Sequence, residues 1–166
     1  MNRRDVLQLI STVARLVLGG VLLVAGAIKI ADPVASEQAV AAYELLPRAL
    51  ETPVGWALPF GEVALGLLLI VGYGTRVAAA VSGLLMVLFI AAVGSAWARG
   101  LTIDCGCFGG GGQVAPGETR YLQEIMRDLG LLALAGWLVC FPRSRFALDT
   151  NPHATPALDR TGDSAL

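Results

Sequence analysis

The sequence consists largely of long apolar stretches with few charged residues. Residues 77–98 are 22 consecutive positions without a charged side chain. At about 1.5 Å per residue, a helix of this length measures about 33 Å and can cross a hydrocarbon layer of about 30 Å. Similar segments that include ionisable residues occur three more times. The pattern predicts an all-α integral membrane protein, a four-helix bundle with spans at about residues 7–28, 54–73, 77–98 and 121–141.

Two longer connections should lie on one side of the membrane. In the first, Asp32 and Pro33 predict the start of a short interfacial helix, because Asp is a common N-cap and Pro favours the first helical position. This helix should end before Pro47. The second connection, residues 99–120, holds the candidate redox chemistry. The predicted domains are a membrane domain at residues 1–142 and a disordered cytoplasmic tail at residues 143–166.

Composition supports a membrane protein and excludes several other classes. Hydrophobic residues make up 55% of the 166 positions and charged residues 15%, against about 25% charged residues in soluble domains. A net charge of −1 is not typical of a nucleic-acid-binding protein. Three cysteines cannot make a disulfide framework. A single histidine leaves little material for a metal centre, so no metal site is predicted.

The distribution of arginine predicts the orientation in the cell membrane. Five arginines near span ends would share the side of the two termini, against three on the side of the long loops. Under the positive-inside rule, both termini are cytoplasmic and the loop at residues 99–120 is extracytoplasmic. The paired Arg3 and Arg4 are also compatible with a twin-arginine signal, but Arg15 and Lys29 interrupt the apolar run that would follow. Aromatic residues near the span ends are interpreted as interfacial anchors, namely Tyr43, Trp56, Tyr73, Trp97 and Tyr121.

The strongest candidate for chemistry is Cys105-Gly106-Cys107 in the second loop. Thiols one residue apart can close a disulfide only in a small strained ring, and strain makes a disulfide easier to reduce. Cys105 and Cys107 are therefore the predicted catalytic residues. Two idle thiols, or half of a metal site, are the alternatives. Cys140 lies about 28 Å away along the fourth span and is interpreted as a small buried or interfacial apolar residue.

Ionisable residues inside the predicted spans are a second candidate feature. A charge at the centre of a membrane helix costs about 2.5–3.5 kcal/mol on insertion scales, so such residues should face the interior and form pairs. Arg15 and Lys29 fall on one face of the first span with Gly19 and Gly26, which would let a neighbouring helix pack closely. Two interpretations stay open: a polar chamber that steadies a thiolate or carries protons, and a structural ion-pair network. The predicted network comprises Arg15, Lys29, Glu62, Glu124, Arg127 and Asp128.

The order of several short motifs resembles a known family. In chain order these are Gly26, Lys29, Asp32-Pro33, the run from Tyr43 to Pro47, Glu62, the run from Asp104 to Gly109, and Arg127-Asp128. This order, and above all the CGCFG run at residues 105–109, resembles the MauE branch of the MauE/DoxX redox-associated membrane proteins. The resemblance covers about residues 9–140. Its motif residues include Tyr43, Pro47, Gly106, Phe108 and Gly109.

The resemblance implies a membrane protein of thiol–disulfide redox, similar in general architecture to DsbB and the vitamin K epoxide reductases. Its partner would be an extracytoplasmic thioredoxin-fold or disulfide-containing protein, such as an amine dehydrogenase matured for methylamine utilisation. DsbB-like enzymes pass electrons through two cysteine pairs to a quinone, whereas this chain has one pair and the distant Cys140. A quinone cofactor is therefore left open, and no residue can be assigned to its site.

Two hypotheses of function follow. In the first, a client thiolate attacks the disulfide of Cys105 and Cys107, as in a thiol:disulfide oxidoreductase. In the second, the chain is a noncatalytic membrane scaffold or assembly subunit for a redox enzyme complex. A small-molecule transporter is less favoured, because four spans without an internal repeat leave little room for alternating access, although an oligomer would remove that objection.

Overall fold

The computed structural model describes residues 3–106, 110–115 and 117–142. The predictions for Cys107, Phe108 and Gly109, and for the tail at residues 143–166, lie outside the described residues. The described chain is mostly helical. Its elements in chain order are α1 (Arg3–Ala31), α2 (Pro33–Ala42), α3 (Arg48–Val71), α4 (Thr75–Ala98), β1 (Ile103–Asp104), β2 (Gly112–Gln113) and α5 (Tyr121–Cys140).

Three of the helices are long and apolar enough to cross a membrane: Asp5–Ala31 of α1, Arg48–Val71 of α3 and Thr75–Ala98 of α4. Large apolar side chains are exposed along all three helices, as expected for surfaces in contact with lipid chains. The chain is therefore a multi-pass membrane protein in a lipid bilayer. α5 has 20 residues and carries three charged residues in its first half, and its crossing of the membrane stays a prediction.

α1 and α3 pack together through glycines. A Cβ atom on Gly26 would lie 2.7 Å from the carbonyl oxygen of Pro59, and one on Gly66 would lie 2.8 Å from the carbonyl oxygen of Gly19. These distances leave no room for a side chain, so the two backbones are in direct contact. The face of α1 that carries Gly19 and Gly26 is thus the face that contacts α3.

α5 lies against α1 and α4 and runs along most of α1. At one end, Trp137 Nε1 donates to Ser11 Oγ at 3.2 Å, and the Ser11 hydroxyl donates to the carbonyl oxygen of Phe141 at 2.9 Å. Towards the other end, Lys29 and Asp128 line the same small cavity. The chain from Ser11 to Lys29 corresponds to about 27 Å of helix. α5 itself has 20 residues, a helix of about 30 Å, which is close to the hydrocarbon thickness of about 30 Å.

The connection between α1 and α3 contains the helix that Asp32-Pro33 predicts. The Asp32 side chain accepts a hydrogen bond from the Ala35 backbone N–H at 3.0 Å and so caps α2. The Ser36 hydroxyl donates to the carbonyl oxygen of Gly55 at 2.8 Å, which holds α2 against α3. α2 ends before Pro47, and Pro47 immediately precedes α3.

A two-stranded antiparallel sheet lies in the connection between α4 and α5. Ile103 of β1 is opposite Gln113 of β2, and Asp104 is opposite Gly112. β2 also lies against α2. We call the end of the helical assembly that carries α2 and this sheet the loop end. The sequence predicted an all-α protein, and among the described residues this sheet is the one departure from it. The sequence did not predict the sheet because strands of two residues are too short to show an alternating pattern.

Candidate functional site

Cys105 lies directly after β1 at the loop end. Its side chain is 9% exposed and belongs to an apolar cluster formed with residues of α4, β1 and α5. The pairing of β1 with β2 fixes the backbone just before the cysteine. The structure therefore gives one predicted catalytic residue a largely buried position, while Cys107 lies outside the described part of the chain.

Tyr121, the first residue of α5, holds the backbone that leads to Cys105. Its hydroxyl oxygen accepts a hydrogen bond from the Ile103 N–H at 3.1 Å, and the hydroxyl donates to the carbonyl oxygen of Leu101. Tyr121 is only 6% exposed. The interpretation of Tyr121 as an interfacial anchor is therefore wrong, because its phenol is buried and bonded to the loop.

Tyr43, a residue of the family motif, is also brought to Cys105. The Tyr43 hydroxyl donates to the carbonyl oxygen of Cys105 at 3.5 Å. The guanidinium group of Arg99 donates to the carbonyl oxygen of Tyr43. The end of α2, the end of α4 and the cysteine are thus linked by hydrogen bonds. No sequence pattern connects Arg99 with this site, because its partner is a backbone carbonyl group.

Gly106 lets the cysteine segment lie directly on α2. Its φ is +66°, a backbone conformation that residues with a side chain rarely adopt. A Cβ atom on Gly106 would lie 2.6 Å from the Cβ atom of Ala39 in α2. The glycine in the CGC motif is therefore required both by its backbone conformation and by the close contact with Ala39.

Two carboxylates lie beside the Cys105 thiol. A carboxylate oxygen of Asp104, the Cys105 Sγ atom and a carboxylate oxygen of Glu124 all lie within 4.8 Å of one another. Glu124 Oε2 is buried and has no hydrogen-bond partner among the described residues, so it can accept a proton. The three atoms could also serve as metal ligands, but a structural zinc site takes about four. The sequence pattern places Glu124 in the polar network and does not link it to the cysteine.

Two ion pairs lie deeper in the helical assembly and line one cavity. Lys29 Nζ is 2.6 Å from Glu62 Oε1, and the two side chains are 7% and 1% exposed. Arg127 Nη2 is 2.8 Å from Asp128 Oδ1. All four residues line a cavity of about 20 Å³, enough for about one water molecule. Asp128 Oδ2 is buried without a hydrogen-bond partner in the described part of the chain, so a polar occupant would be favourable here.

The remaining predicted residues lie apart from this site. Arg15 is buried in α1, about 21 Å from Lys29 along the helix. Cys140 ends α5 at the far end from the cysteine loop and is exposed, not buried. Pro47 is the N-cap residue of α3. The structure thus brings Lys29, Glu62, Arg127 and Asp128 together and leaves Arg15 and Cys140 outside the group.

A wide polar cleft of about 800 Å³ opens on one side of Cys105. Asp104, Cys105 and Glu124 line it together with Arg127 and residues of the segment before α5. The cleft contains charges of both signs. A polypeptide segment that approaches through it would meet the cysteine in a cleft lined by three carboxylates, those of Asp104, Glu118 and Glu124, and by two guanidinium groups, those of Arg120 and Arg127.

Comparison with protein-family models gives a match over residues 7–141, to the family described as methylamine utilisation protein MauE. The matched range includes every helix and both strands of the described chain, apart from the first residues of α1. Comparison with curated proteins and with solved structures gives no match. The resemblance drawn from the sequence motifs is confirmed.

Proposed function

Because the chain belongs to the family described as methylamine utilisation protein MauE, we propose that it is a membrane protein of thiol–disulfide redox. In this proposal Cys105 and Cys107 exchange a disulfide with an extracytoplasmic thioredoxin-fold or disulfide-containing protein. An amine dehydrogenase that is matured outside the cytoplasm is a suitable client for a protein of methylamine utilisation. The observation that carries the proposal is the position of Cys105 at a polar cleft, within 4.8 Å of the carboxylates of Asp104 and Glu124.

The proposed reaction begins with a thiolate of the reduced client. It attacks one sulfur of the Cys105–Cys107 disulfide, so that a client–protein S–S bond forms and the original S–S bond breaks. A second client thiolate then attacks this mixed disulfide and releases the oxidised client. Cys105 and Cys107 leave as thiolates and take up the two protons that the client thiols gave up, so the pair remains as a dithiol that carries two electrons and two protons. Glu124 supports the step because its buried Oε2, next to Cys105, can hold a proton and pass it to the leaving sulfur.

The proposal includes four membrane spans, with both termini in the cytoplasm and the cysteine loop outside. Three helices have the required length and apolar character. α5 supports a fourth span because its contacts with Ser11 extend along α1 as far as the end opposite Lys29. Four spans would return the chain to its starting side, as the positive-inside rule favours.

Replacing either cysteine should trap the client. In a Cys140→Ser background, Cys105→Ser or Cys107→Ser leaves one thiol that forms a mixed disulfide with the client but cannot resolve it. We expect a reducible covalent adduct from at least one variant, measured by non-reducing electrophoresis and mass spectrometry of the purified chain. The variant without any cysteine is the matched control and should give no adduct. If neither single variant forms an adduct in cells that contain it at the wild-type level, exchange is excluded in favour of the scaffold.

Thiol labelling in intact cells should report the orientation. In a Cys140→Ser chain, a membrane-impermeant maleimide should label the pair only after mild reduction, because the proposed resting pair is an oxidised disulfide outside the cytoplasm. A chain that retains only Cys140 is the control and should be labelled only after lysis. Labelling of the pair only after lysis would place the loop in the cytoplasm and contradict the proposed orientation.

A further inference from the structure

A mostly apolar cavity of about 310 Å³ lies next to Cys105. Cys105 and Gly106 form part of its wall, and residues of α2, α3 and α4 form most of the rest. Lys29 and Tyr43 contribute polar groups to the lining. Its volume falls in the range of about 300–1,000 Å³ typical of small-molecule sites. Cys105 therefore borders two cavities of opposite character, this one and the polar cleft.

A second cavity extends the first along the helices. It has a volume of about 370 Å³ and lies between α3 and α4. The two cavities share four lining residues, Val54, Leu58, Leu85 and Leu88, so they are adjacent and together form one trough. Along α4, the distance from Ala92, which lines the first cavity, to Val81, which lines the second, is about 16 Å. Leu84 and Leu88 in the second cavity are 60% and 57% exposed, which opens this part of the trough to lipid.

The trough has the polarity pattern of an amphiphilic ligand. Near Cys105 the trough is lined by the Lys29 ammonium group and the Tyr43 side chain, whereas the second cavity, between α3 and α4, is apolar except for Glu62. Two of the three Lys29 N–H donors are used by the two oxygens of Glu62, which leaves the third for a ligand oxygen. A ligand with a compact polar ring and a long apolar tail therefore fits the trough, with the ring beside the cysteine and the tail between α3 and α4.

We infer that this trough binds an isoprenoid quinone, whose ring takes up the electrons of the Cys105–Cys107 dithiol. The inference rests on the proposed function, since exchange with a reduced client leaves a dithiol that must be reoxidised. An acceptor of two electrons that dissolves in the bilayer can reoxidise the dithiol, because the trough opens to the bilayer. The arrangement also separates the two reactants, because the client reaches Cys105 through the polar cleft and the acceptor reaches it from the lipid side.

The reoxidation step balances without a further reactant. The two cysteine thiols lose two electrons and two protons as the Cys105–Cys107 S–S bond forms. The two ring carbonyl groups of the quinone gain the same two electrons and two protons and become the hydroxyl groups of a quinol. The quinol then leaves into the bilayer between α3 and α4.

Binding can be tested with neighbouring alanines of α4. Ala92 lines the cavity, whereas Ala91 is exposed on the same helix and does not line it. Ala92→Phe should fill the space of the ring, and Ala91→Phe should add the same side chain to the lipid-facing surface. With the full chain in lipid nanodiscs and decylubiquinone as the probe, we expect Ala92→Phe to weaken binding about tenfold or more. The wild type and Ala91→Phe should bind alike.

Electron transfer is measured in the same samples. The pre-reduced chain is mixed with decylubiquinone, and the loss of quinone absorbance and of free thiols is followed. A separate assay measures exchange of the dithiol with a small aromatic disulfide, which does not use the trough. We expect Ala92→Phe to slow quinone reduction about tenfold more than it slows exchange with the aromatic disulfide, and Ala91→Phe to leave both rates unchanged.

The outcomes separate the inference from the proposed function. Equal quinone binding by Ala92→Phe and Ala91→Phe, or no binding by the wild type while the aromatic disulfide still reacts, would overturn the quinone site and leave thiol exchange intact. If the quinone binds in the trough but the cysteine pair exchanges with no disulfide, the acceptor role and the proposed function are both overturned. In the wild type, a photoreactive quinone should cross-link to α3 and α4 residues of the trough. If a photoreactive phospholipid labels these residues and the quinone does not, the quinone site is also overturned.

Discussion

Replacing Lys29 with methionine should destabilise the helical assembly by about 3–5 kcal/mol, because the buried Glu62 carboxylate would lose its cation. In the wild type, Lys29 Nζ lies 2.6 Å and 2.9 Å from the two Glu62 oxygens, so both carboxylate oxygens accept a hydrogen bond from the ammonium group. Glu62 is 1% exposed, so bulk solvent does not replace the lysine as a partner of its carboxylate. The measurement is unfolding of the purified chain in mixed micelles with increasing dodecyl sulfate, followed by helical circular dichroism.

Two further variants make this expectation specific to the pair. The double variant Lys29→Met with Glu62→Leu should regain most of the lost stability, since replacement of a whole buried pair by apolar residues is often neutral or favourable. Arg48→Met removes a cation from the exposed first turn of α3, the helix of Glu62, and should change stability by less than about 0.5 kcal/mol. A double variant as unstable as Lys29→Met would show that the lysine acts through another contact, such as the Phe89 ring 5.4 Å away.

The sequence predicted the long helices well, because their signal is long and redundant. The uncharged run at residues 77–98 corresponds closely to α4, Thr75–Ala98. The start of α3 was predicted less well: the expected span begins at residue 54, whereas the helix begins at Arg48. Pro53 lies inside α3, as does Pro59, although proline lacks the N–H that would donate to the carbonyl group four residues earlier in a helix. A proline before an apolar run is therefore a weak indicator of a helix boundary.

The sequence also predicted the deeper ion pairs better than the cysteine surroundings. A charge in an apolar helix needs a partner, so the sequence predicts that the ionisable residues of the spans, Lys29 and Glu62 among them, face the interior and form pairs, without assigning the partners. The roles of Tyr121 and Glu124 depend on how residues 99–120 fold back on the helix ends. Those contacts are hydrogen bonds to backbone groups and short through-space distances, which no periodic pattern records.

Separate access routes to one cysteine would explain why the loop must lie so close to α2. Cys105 contributes to the polar cleft and to the apolar cavity, and Ala39 of α2 also lines the cavity beside it. If the loop moved away from α2, the wall between the two spaces would open. The contact between Gly106 and Ala39 is therefore the feature on which this arrangement depends most directly.

Replacing Gly106 with alanine should displace the loop from α2 and expose Cys105. The new Cβ atom would lie 2.6 Å from the Ala39 Cβ atom, and the backbone would have to keep a φ of +66°. The two penalties act together, about 1–2 kcal/mol for the left-handed conformation and about 1–3 kcal/mol for overpacking. In a reduced chain that retains only Cys105, we expect alkylation by a small maleimide to become about tenfold faster or more.

Two matched variants distinguish contact from backbone strain. Gly100 has a φ of +69° and nothing within 4 Å of its Cβ position, so Gly100→Ala carries the strain without the clash and should leave Cys105 protected. Ala39→Gly removes the atom that Gly106→Ala would meet, and the double variant should return the alkylation rate most of the way to that of the parent. Protection that survives Gly106→Ala, or a double variant that stays as reactive as Gly106→Ala, would contradict the role of the α2 contact. Restored protection would instead establish that the contact with α2 shields Cys105.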